Sequence, residues 1–296
     1  MDIECLKYFQ KIAETKSISK AADNSHISQP ALSQQMKKLE NSLGEELFVR
    51  SNKGVKLTSA GEMVLKYADN IIRTYDKMLT GLKKEQEKEI KIEADVTIAT
   101  YCLPCVLMKI KKDFPTHNYN LISGSSDQIE EDLLNDICEI GFITRDSQEE
   151  DLVSQKITEE KIVLISPKEY DIKEKIELKE VLNLPLIILR EEYIIKEKLN
   201  TALNDIGYSI NDLNIMVRVE TTEVIKTLVQ NGYGLGFVSY NAIKEEYAAN
   251  KIQVSRIKDY NLNYNIFMVN KKFGNLSNET REFIESFKNM RNYVCP

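Results

Sequence analysis

Few residues in this chain are suited to chemistry by type and spacing. Residues 101 to 105 read YCLPC, a C-x-x-C pair made by Cys102 and Cys105. Such a pair can be a redox dithiol, half of a metal site, or two small apolar side chains three residues apart. Zinc fits poorly, because the sequence holds no second C-x-x-C to complete a set of nitrogen and sulfur ligands. A redox role fits better than zinc, since Cys102 at the start of a helix would have its thiolate favoured by the free N–H groups and the dipole there, and plain lining of a pocket fits better still. The five cysteines, at 5, 102, 105, 138 and 295, are odd in number and scattered, so they make no disulfide framework. Cys138, in ICEIGFIT, alternates with positions of a buried strand. The two histidines, His26 and His117, have no Ser/His/Asp arrangement and no metal-ligand spacing around them. An enzyme is therefore not expected, nor a metal or a cofactor.

A second group of residues suits binding rather than catalysis. VTIAT ends at Thr100, Tyr101 and Cys102, NLISG runs into Ser125 and Ser126, and VRVE runs into Thr221 and Thr222. EIGFIT adds Thr144 beside Arg145, PLIILR ends at Arg190, and GLGFVSY brings Val238 and Ser239. Ligands of open α/β sheets bind beyond the carboxyl ends of strands, where helix N-termini present free N–H groups. Hydroxyls, helix starts and arginines would suit a small anion such as a carboxylate or an oxyanion. Each residue alone serves equally well as a helix cap; the cluster carries the expectation.

The elements that must position these residues follow from the pattern. From Val96 onward short β-rich runs (VTIAT, NLISG, EIGFIT, KIVLIS, PLIILR, NIMVRVE, LGFVSY) alternate with helical ones such as QIEEDLLND and EVIKTLVQN. That alternation predicts an α/β fold with a parallel sheet. Ahead of it KKEQEKEIKIE is charged and reads as a hinge. Further upstream Leu65, Ala68, Ile72, Tyr75, Leu79 and Leu82 recur at heptad spacing, a seam that predicts a helix pairing with its copy in a second subunit.

The first sixty residues differ in charge from the rest. They hold eight Lys and one Arg against two Asp and five Glu, while the whole 296-residue chain has a net charge of −6. A mildly basic head on an acidic body predicts different partners for the two parts. LKYFQKIAE spaces Leu6, Phe9, Ile12 and Ala13 as an amphipathic helix, and Ser19 offers a cap for a second helix containing Ala21 and Ala22. Ser28 caps a third helix with Pro30 in its first turn. Its buried stripe is Leu32, Met36 and Leu39, which turns Pro30, Ser33, Gln34 and Lys37 outward. Gln34 suits adenine; Ser33 and Gln29 suit other base edges, and Lys37 or Lys38 a phosphate or guanine. ELFVRSNKGVKLT predicts a β-hairpin whose Arg50, Lys53 and Lys56 would grip the DNA backbone.

The run SISKAADNSHISQPALSQQMKKLENSLGEELFVRSNKGVKLTSAGE, with its AA, SQPALS, LE-x-x-LG, LF-x-R and LT-x-AG elements in order, resembles the winged helix-turn-helix of LysR-type transcriptional regulators. The resemblance implies a regulator that binds double-stranded DNA at a pseudo-palindromic site as a homodimer or homotetramer, meets RNA polymerase there, and senses a small molecule through its C-terminal part. It also implies a two-subdomain effector-binding fold shared with periplasmic solute receptors, the chain crossing between subdomains near Ser166 and Ile266. The expected division is residues 1–58 for DNA binding, 59–89 for the dimerisation helix and hinge, and 90–296 for the effector domain. Within the last, subdomain I takes about 90–166 and 267–296 and subdomain II about 167–266. A thiol-based redox regulator using Cys102 and Cys105 is the alternative. No apolar run is long enough to span a bilayer and the N-terminus lacks the pattern of a secretory signal, so the cytoplasm is the expected location.

Overall fold

The structure, a computed structural model, describes residues 2–51, 54–82, 89–190, 193–258, 260–272 and 276–290. Lys53, Cys295 and most of the expected hinge lie outside the described residues, as do the side chains of Arg50 and Leu82. The chain forms two compact units, Met1–Gln86 and Glu87–Pro296.

The first unit contains α1 (Ile3–Thr15), α2 (Ile18–Asn24), α3 (Gln29–Leu43), β1 (Phe48–Ser51), β2 (Gly54–Leu57) and α4 (Ser59–Leu82). Leu6, Phe9 and Ile12 of α1 are buried against Ala21 and Ala22 of α2 and Leu32, Met36 and Leu39 of α3. The two alanines, having no side chain beyond Cβ, leave room for that packing. Ser17, in extended backbone, caps α2 by accepting the Lys20 N–H, so Ser19 is not the cap. Ser28 caps α3, and Thr58 caps α4 by accepting the Gly61 N–H at 2.9 Å. The strands β1 and β2 pair antiparallel as a hairpin.

The heptad stripe of α4 divides on two faces. Ala68 and Ile72 are buried in the unit's own core against α1, and Leu65 is half-buried beside them. Tyr75 lies under the Lys7 ammonium, 5.7 Å from its ring centre, and Gln10 donates to Asp69 at 3.0 Å. Part of the seam expected to join two subunits is thus spent on α1. The outward apolar stripe is instead Met63, Tyr67 (62% exposed), Ile71 (43% exposed) and Met78, with Leu79 at its edge.

The second unit is a mixed α/β structure. Its elements are β3 (Glu89–Ala94), a π-helical turn at Ile98–Cys102, α5 (Leu103–Asp113), β4 (Asn118–Ser123), α6 (Ser126–Leu134), β5 (Ile140–Ile143) and β6 (Leu152–Pro167). There follow β7 (Lys175–Ile176), α7 (Leu178–Val181), β8 (Leu186–Leu189), α8 (Tyr193–Asp205), β9 (Ile215–Val219), α9 (Thr222–Gln230) and β10 (Leu235–Ser239). The chain closes with α10 (Lys244–Ala248), β11 (Ile252–Ile257), β12 (Asn263–Lys271) and α11 (Asn278–Met290). Two expectations fail at its start. EIKIE, read as the end of the charged hinge, belongs to the strand β3, because Ile90, Ile92 and Ala94 alternate into the core. VTIAT, read as the first strand, is helical, because Ile98 and Cys102 bury one turn apart.

The strand path is β4-β3-β5-β12-β6-β10-β8-β9, with β11 beside β6 and β7 beside β11. Strands β3, β4 and β5 are mutually parallel, as are β8, β9 and β10, while β6 and β12 run antiparallel to their neighbours. The long β6 joins two lobes: Leu152 to Lys161 pair with β12, and Ile162 to Ile165 pair with β10. The partner exchange falls at Lys161/Ile162 and the chain returns at Leu262/Asn263, several residues before Ser166 and Ile266.

Candidate functional site

In the first unit the side chains expected to read DNA stand on or at the start of α3. Ser28, Gln29, Pro30, Gln34, Lys37 and Lys38 are exposed, and Ser33 is half-buried. Ser19 donates to the Gln29 side chain at 3.1 Å, which ties α2 to the start of α3. His26 takes a positive φ of 54° and forms the turn between the two helices, a backbone role. The hairpin is held against α3 by the Glu40 carboxylate, which accepts the Leu47 N–H at 2.9 Å, and Lys56 is exposed upon it. Gly61 explains the LT-x-AG element: a Cβ there would lie 2.2 Å from the Leu47 carbonyl oxygen.

In the second unit a cleft of about 780 Å³ opens beside β6 and β12, bordered by both lobes. Ser125, Ser126 and Thr144 line it together. Ser125 caps α6 by accepting the Gln128 N–H, and Ser126 and Thr144 hydroxyls are 3.4 Å apart. The remaining expected residues go elsewhere. Thr100 is exposed and donates to the Val96 carbonyl at 2.7 Å. Arg190, exposed, pairs with Glu220 at 3.0 Å. Thr221 caps α9 and Thr222 lies in its first turn. Ser239 is buried, and its hydroxyl bonds that of Tyr264 at 2.9 Å. Cys102 is buried while Cys105 is exposed, so the two thiols occupy different surroundings. Among the described residues no group of three His, Cys, Asp or Glu could hold a metal ion.

Several residues lining the cleft carry no signal in the sequence. The cleft is lined by the carboxylates of Asp95, Asp127, Asp146, Glu159 and Glu197 and by two cations, Arg145 and Lys198. Arg145 is occupied: it forms two bonds to Glu130, which is buried, and one to Asp127 at 2.6 Å. Burial lowers the guanidinium's pKa, but those bonds more than compensate and raise it. Asp95 is pushed above the usual carboxylate range by burial, opposed by the Thr97 N–H that it accepts at 3.1 Å. Tyr264, on the wall, has its phenol pKa pushed well up by burial and by Glu160, against the bond to Ser239. This balance does not favour a small anion, because an anion would add charge to an excess of carboxylates.

The two lobes also meet directly. Tyr101 tucks its ring beside the apolar cluster of Val163, Ile225 and Ala242, and its hydroxyl donates to Glu223 on α9 at 2.9 Å. Lys226, 7% exposed, bonds Glu223 at 2.9 Å and Glu246 at 2.7 Å and lies 5.6 Å from the Tyr101 ring centre. Burial lowers the Lys226 pKa, yet the two carboxylates prevail and raise it; burial raises Glu223, yet Lys226 and Tyr101 prevail and lower it.

A family model described as "Bacterial regulatory helix-turn-helix protein, lysR family" matches residues 3–62, and one described as "LysR substrate binding domain" matches residues 83–291. The chain belongs to the LysR family of transcriptional regulators. A LysR-family chain of this kind carries an N-terminal helix-turn-helix and a C-terminal effector-binding domain, and its class is regulatory rather than enzymatic. Relatives agree: a "Probable RuBisCO transcriptional regulator" of Trieres chinensis is 30% identical over 267 residues, 87% of this chain and 86% of the relative. An Arthrobacter "HTH-type transcriptional regulator SoxR" is 28% identical over 290 residues, 98% of this chain and 97% of that one. The LysR-family regulator CbnR matches in fold, with a TM-score of 0.62 at 21% identity over 100% of both chains. No helix among the described residues is long and apolar enough to cross a membrane.

Proposed function

We propose that this LysR-type regulator binds a pseudo-palindromic double-stranded DNA site in the cytoplasm as a homodimer or homotetramer, and that a small cation or neutral molecule in the cleft controls it. The observation behind this reading is the cleft itself, where Ser125, Ser126 and Thr144 converge with five carboxylates at the junction of the lobes. A ligand preferring one arrangement of the lobes would shift how paired heads engage DNA, and so how RNA polymerase meets the promoter. The stripe of Met63, Tyr67 and Ile71 on α4 supports subunit pairing, since contiguous exposed apolar surface is otherwise costly to solubility. The DNA-facing set is Ser28, Gln29, Pro30, Ser33, Gln34, Lys37, Lys38 and Lys56. The thiol-switch alternative lacks comparable support, with Cys102 buried and Cys105 at the surface.

A gel-shift titration with the chain's own upstream DNA tests the first half: affinity should fall steeply as salt rises. Thermal-shift screening of amines, carboxylates and neutral metabolites tests the second. Amines should raise the midpoint of the parent protein and lose that effect in Asp95→Asn. Stabilisation by carboxylates instead, removed by Thr144→Val, would refute the charge assignment while keeping the cleft.

A further inference from the structure

The cleft is not the only cavity whose lining selects a ligand. Strand β11 pairs with β6 from Ile252↔Pro167 to Ser255↔Leu164, then leaves it to pair with β7 at Arg256↔Lys175 and Ile257↔Ile176. The parting opens a groove of about 620 Å³, edged by Lys161, Lys175, Arg256 and Lys258 and floored by Ile162 and Leu262. Among the described residues lining it there is no carboxylate. One of the four cations is compensated, Lys258 by Glu177 at 3.7 Å; Lys161, Lys175 and Arg256 have no ion pair among the described residues.

The convergence is imposed by the backbone. The charges come from β6, β7, β11 and the residue just beyond β11, and main-chain bonds from Arg256 N–H to Glu174 at 2.8 Å and from Lys258 N–H to Ile176 at 2.7 Å hold that segment to β7. Like charges held this way repel one another, and an anion between them relieves the repulsion while gaining charge-assisted hydrogen bonds. The setting is an acidic chain with a net charge of −6, so background charge does not account for four cations around one groove. A concave site of this size matches a small molecule rather than a duplex, whose backbone needs an extended surface.

We propose that this groove is a second ligand site, for a small polyanion of the diphosphate type, distinct from the cleft. Lys161, Lys175 and Arg256 hold the anion's oxygens, with the Asn261 amide at the rim. Asn263 borders both cavities and pairs with Lys161 across β6 and β12, so the two sites adjoin at the strands that join the lobes. Occupancy of one can therefore bias the other through those strands.

Isothermal titration of the full-length protein with pyrophosphate, at constant ionic strength set by chloride, tests this. Saturable binding is expected, weakened roughly 100-fold in the Lys161→Gln/Arg256→Gln double variant, about tenfold for each charge-assisted contact removed. Lys175→Gln alone should weaken it about tenfold, while Lys251→Gln, at an exposed lysine outside both cavities, should leave it unchanged. Far-UV circular dichroism matching the parent establishes that the variants fold. Absence of saturable binding at millimolar pyrophosphate, or equal binding by the double variant, overturns the proposal. So does a loss confined to operator DNA affinity in the double variant, which would make the groove part of the DNA-binding surface.

Discussion

Replacing Lys226 with methionine keeps the aliphatic stem and removes the ammonium, which bonds Glu223 at 2.9 Å and Glu246 at 2.7 Å over the Tyr101 ring. The Glu223 side chain is 60% exposed and regains water once the ammonium is gone; that of Glu246, 18% exposed, does not. The loss is therefore set mainly by one charge-assisted bond to Glu246, about 1.5–3 kcal/mol, and a cation–π contact of roughly 0.5–1 kcal/mol, with a smaller, water-screened part from Glu223. The desolvation no longer required of the ammonium offsets part of this. A net destabilisation of about 2 kcal/mol results, equivalent to a fall of about 4–8 °C in Tm for a unit of this size. Circular dichroism melting measures it, and fluorescence gives a second probe that is purely tyrosine, since the chain has 14 tyrosines and no tryptophan. Lys226→Met/Glu246→Gln should recover most of the loss, because both partners of the bond are then neutral. A fall below about 1 °C in the single variant, or a double variant as damaged as the two singles added, would refute the reasoning.

The same cluster sets a pH window. The Glu223 pKa is lowered on folding, so its contribution is present above the unfolded carboxylate value and lost as pH falls through the folded one. The Lys226 pKa is raised, so its contribution is present below the unfolded lysine value and lost as pH rises through the folded one. The difference in Tm between parent and Lys226→Met is thus largest near neutrality and shrinks at acid pH.

Gly61→Ala should destabilise the first unit by more than about 2 kcal/mol and abolish DNA binding despite alanine's better helix propensity, because its Cβ would meet the Leu47 carbonyl at 2.2 Å; melting and gel-shift assays check both. Gln34→Ala should cost about 1–3 kcal/mol at one base position of the operator, whereas Lys37→Gln should weaken all sequences alike and reduce the salt slope by about 1, as titrations at several salt concentrations will show. Tyr67→Asp/Ile71→Asp should shift sedimentation toward monomer, placing charge on an apolar stripe that the first unit's own core does not use.

The first unit was largely legible from its sequence because its signals are local. A helix of fifteen residues with Leu32, Met36 and Leu39 at i, i+4 and i+7 can bury only one face, and Ser28 with Pro30 marks where it starts. Ser19 and Ser17, two residues apart, both read as caps for the same helix, and only the extended backbone at Ser17 decides between them. The seam on α4 was harder: heptad spacing identifies a stripe but not its partner, and α1 took Ala68 and Ile72. In the second unit the strands whose both faces are buried, such as β5 and β10, read as continuous apolar runs and were found. β3 was missed because its alternate residues are Glu and Lys, the pattern of a hinge as much as of a strand. The cleft's hydroxyls were legible as strand-end residues. Its carboxylates were not, because Asp95, Glu159 and Glu197 come from three distant segments that only the tertiary fold brings to one wall.

How large a ligand preference would be needed to open the Tyr101 contact, one of several between the lobes beside the Ser239–Tyr264 and Asn241–Glu160 bonds, can be bounded from its own parts. Of the Tyr101 cluster, the ion pair from Lys226 to Glu246 lies wholly within the second lobe and survives separation; the hydrogen bond from Tyr101 to Glu223 does not. That bond contributes about 0.5–1.5 kcal/mol net, so losing it costs roughly a 2- to 10-fold change in population. Burial of the Tyr101 ring beside Ile225 and Ala242 adds to the resistance, and Tyr101→Ala would remove both contributions where Tyr101→Phe removes only the bond. A ligand binding one arrangement ten to a hundred times more tightly, a coupling of about 1–3 kcal/mol, suffices to reverse a balance of that size. The Tyr101 contact is thus weak enough for a small molecule to overcome.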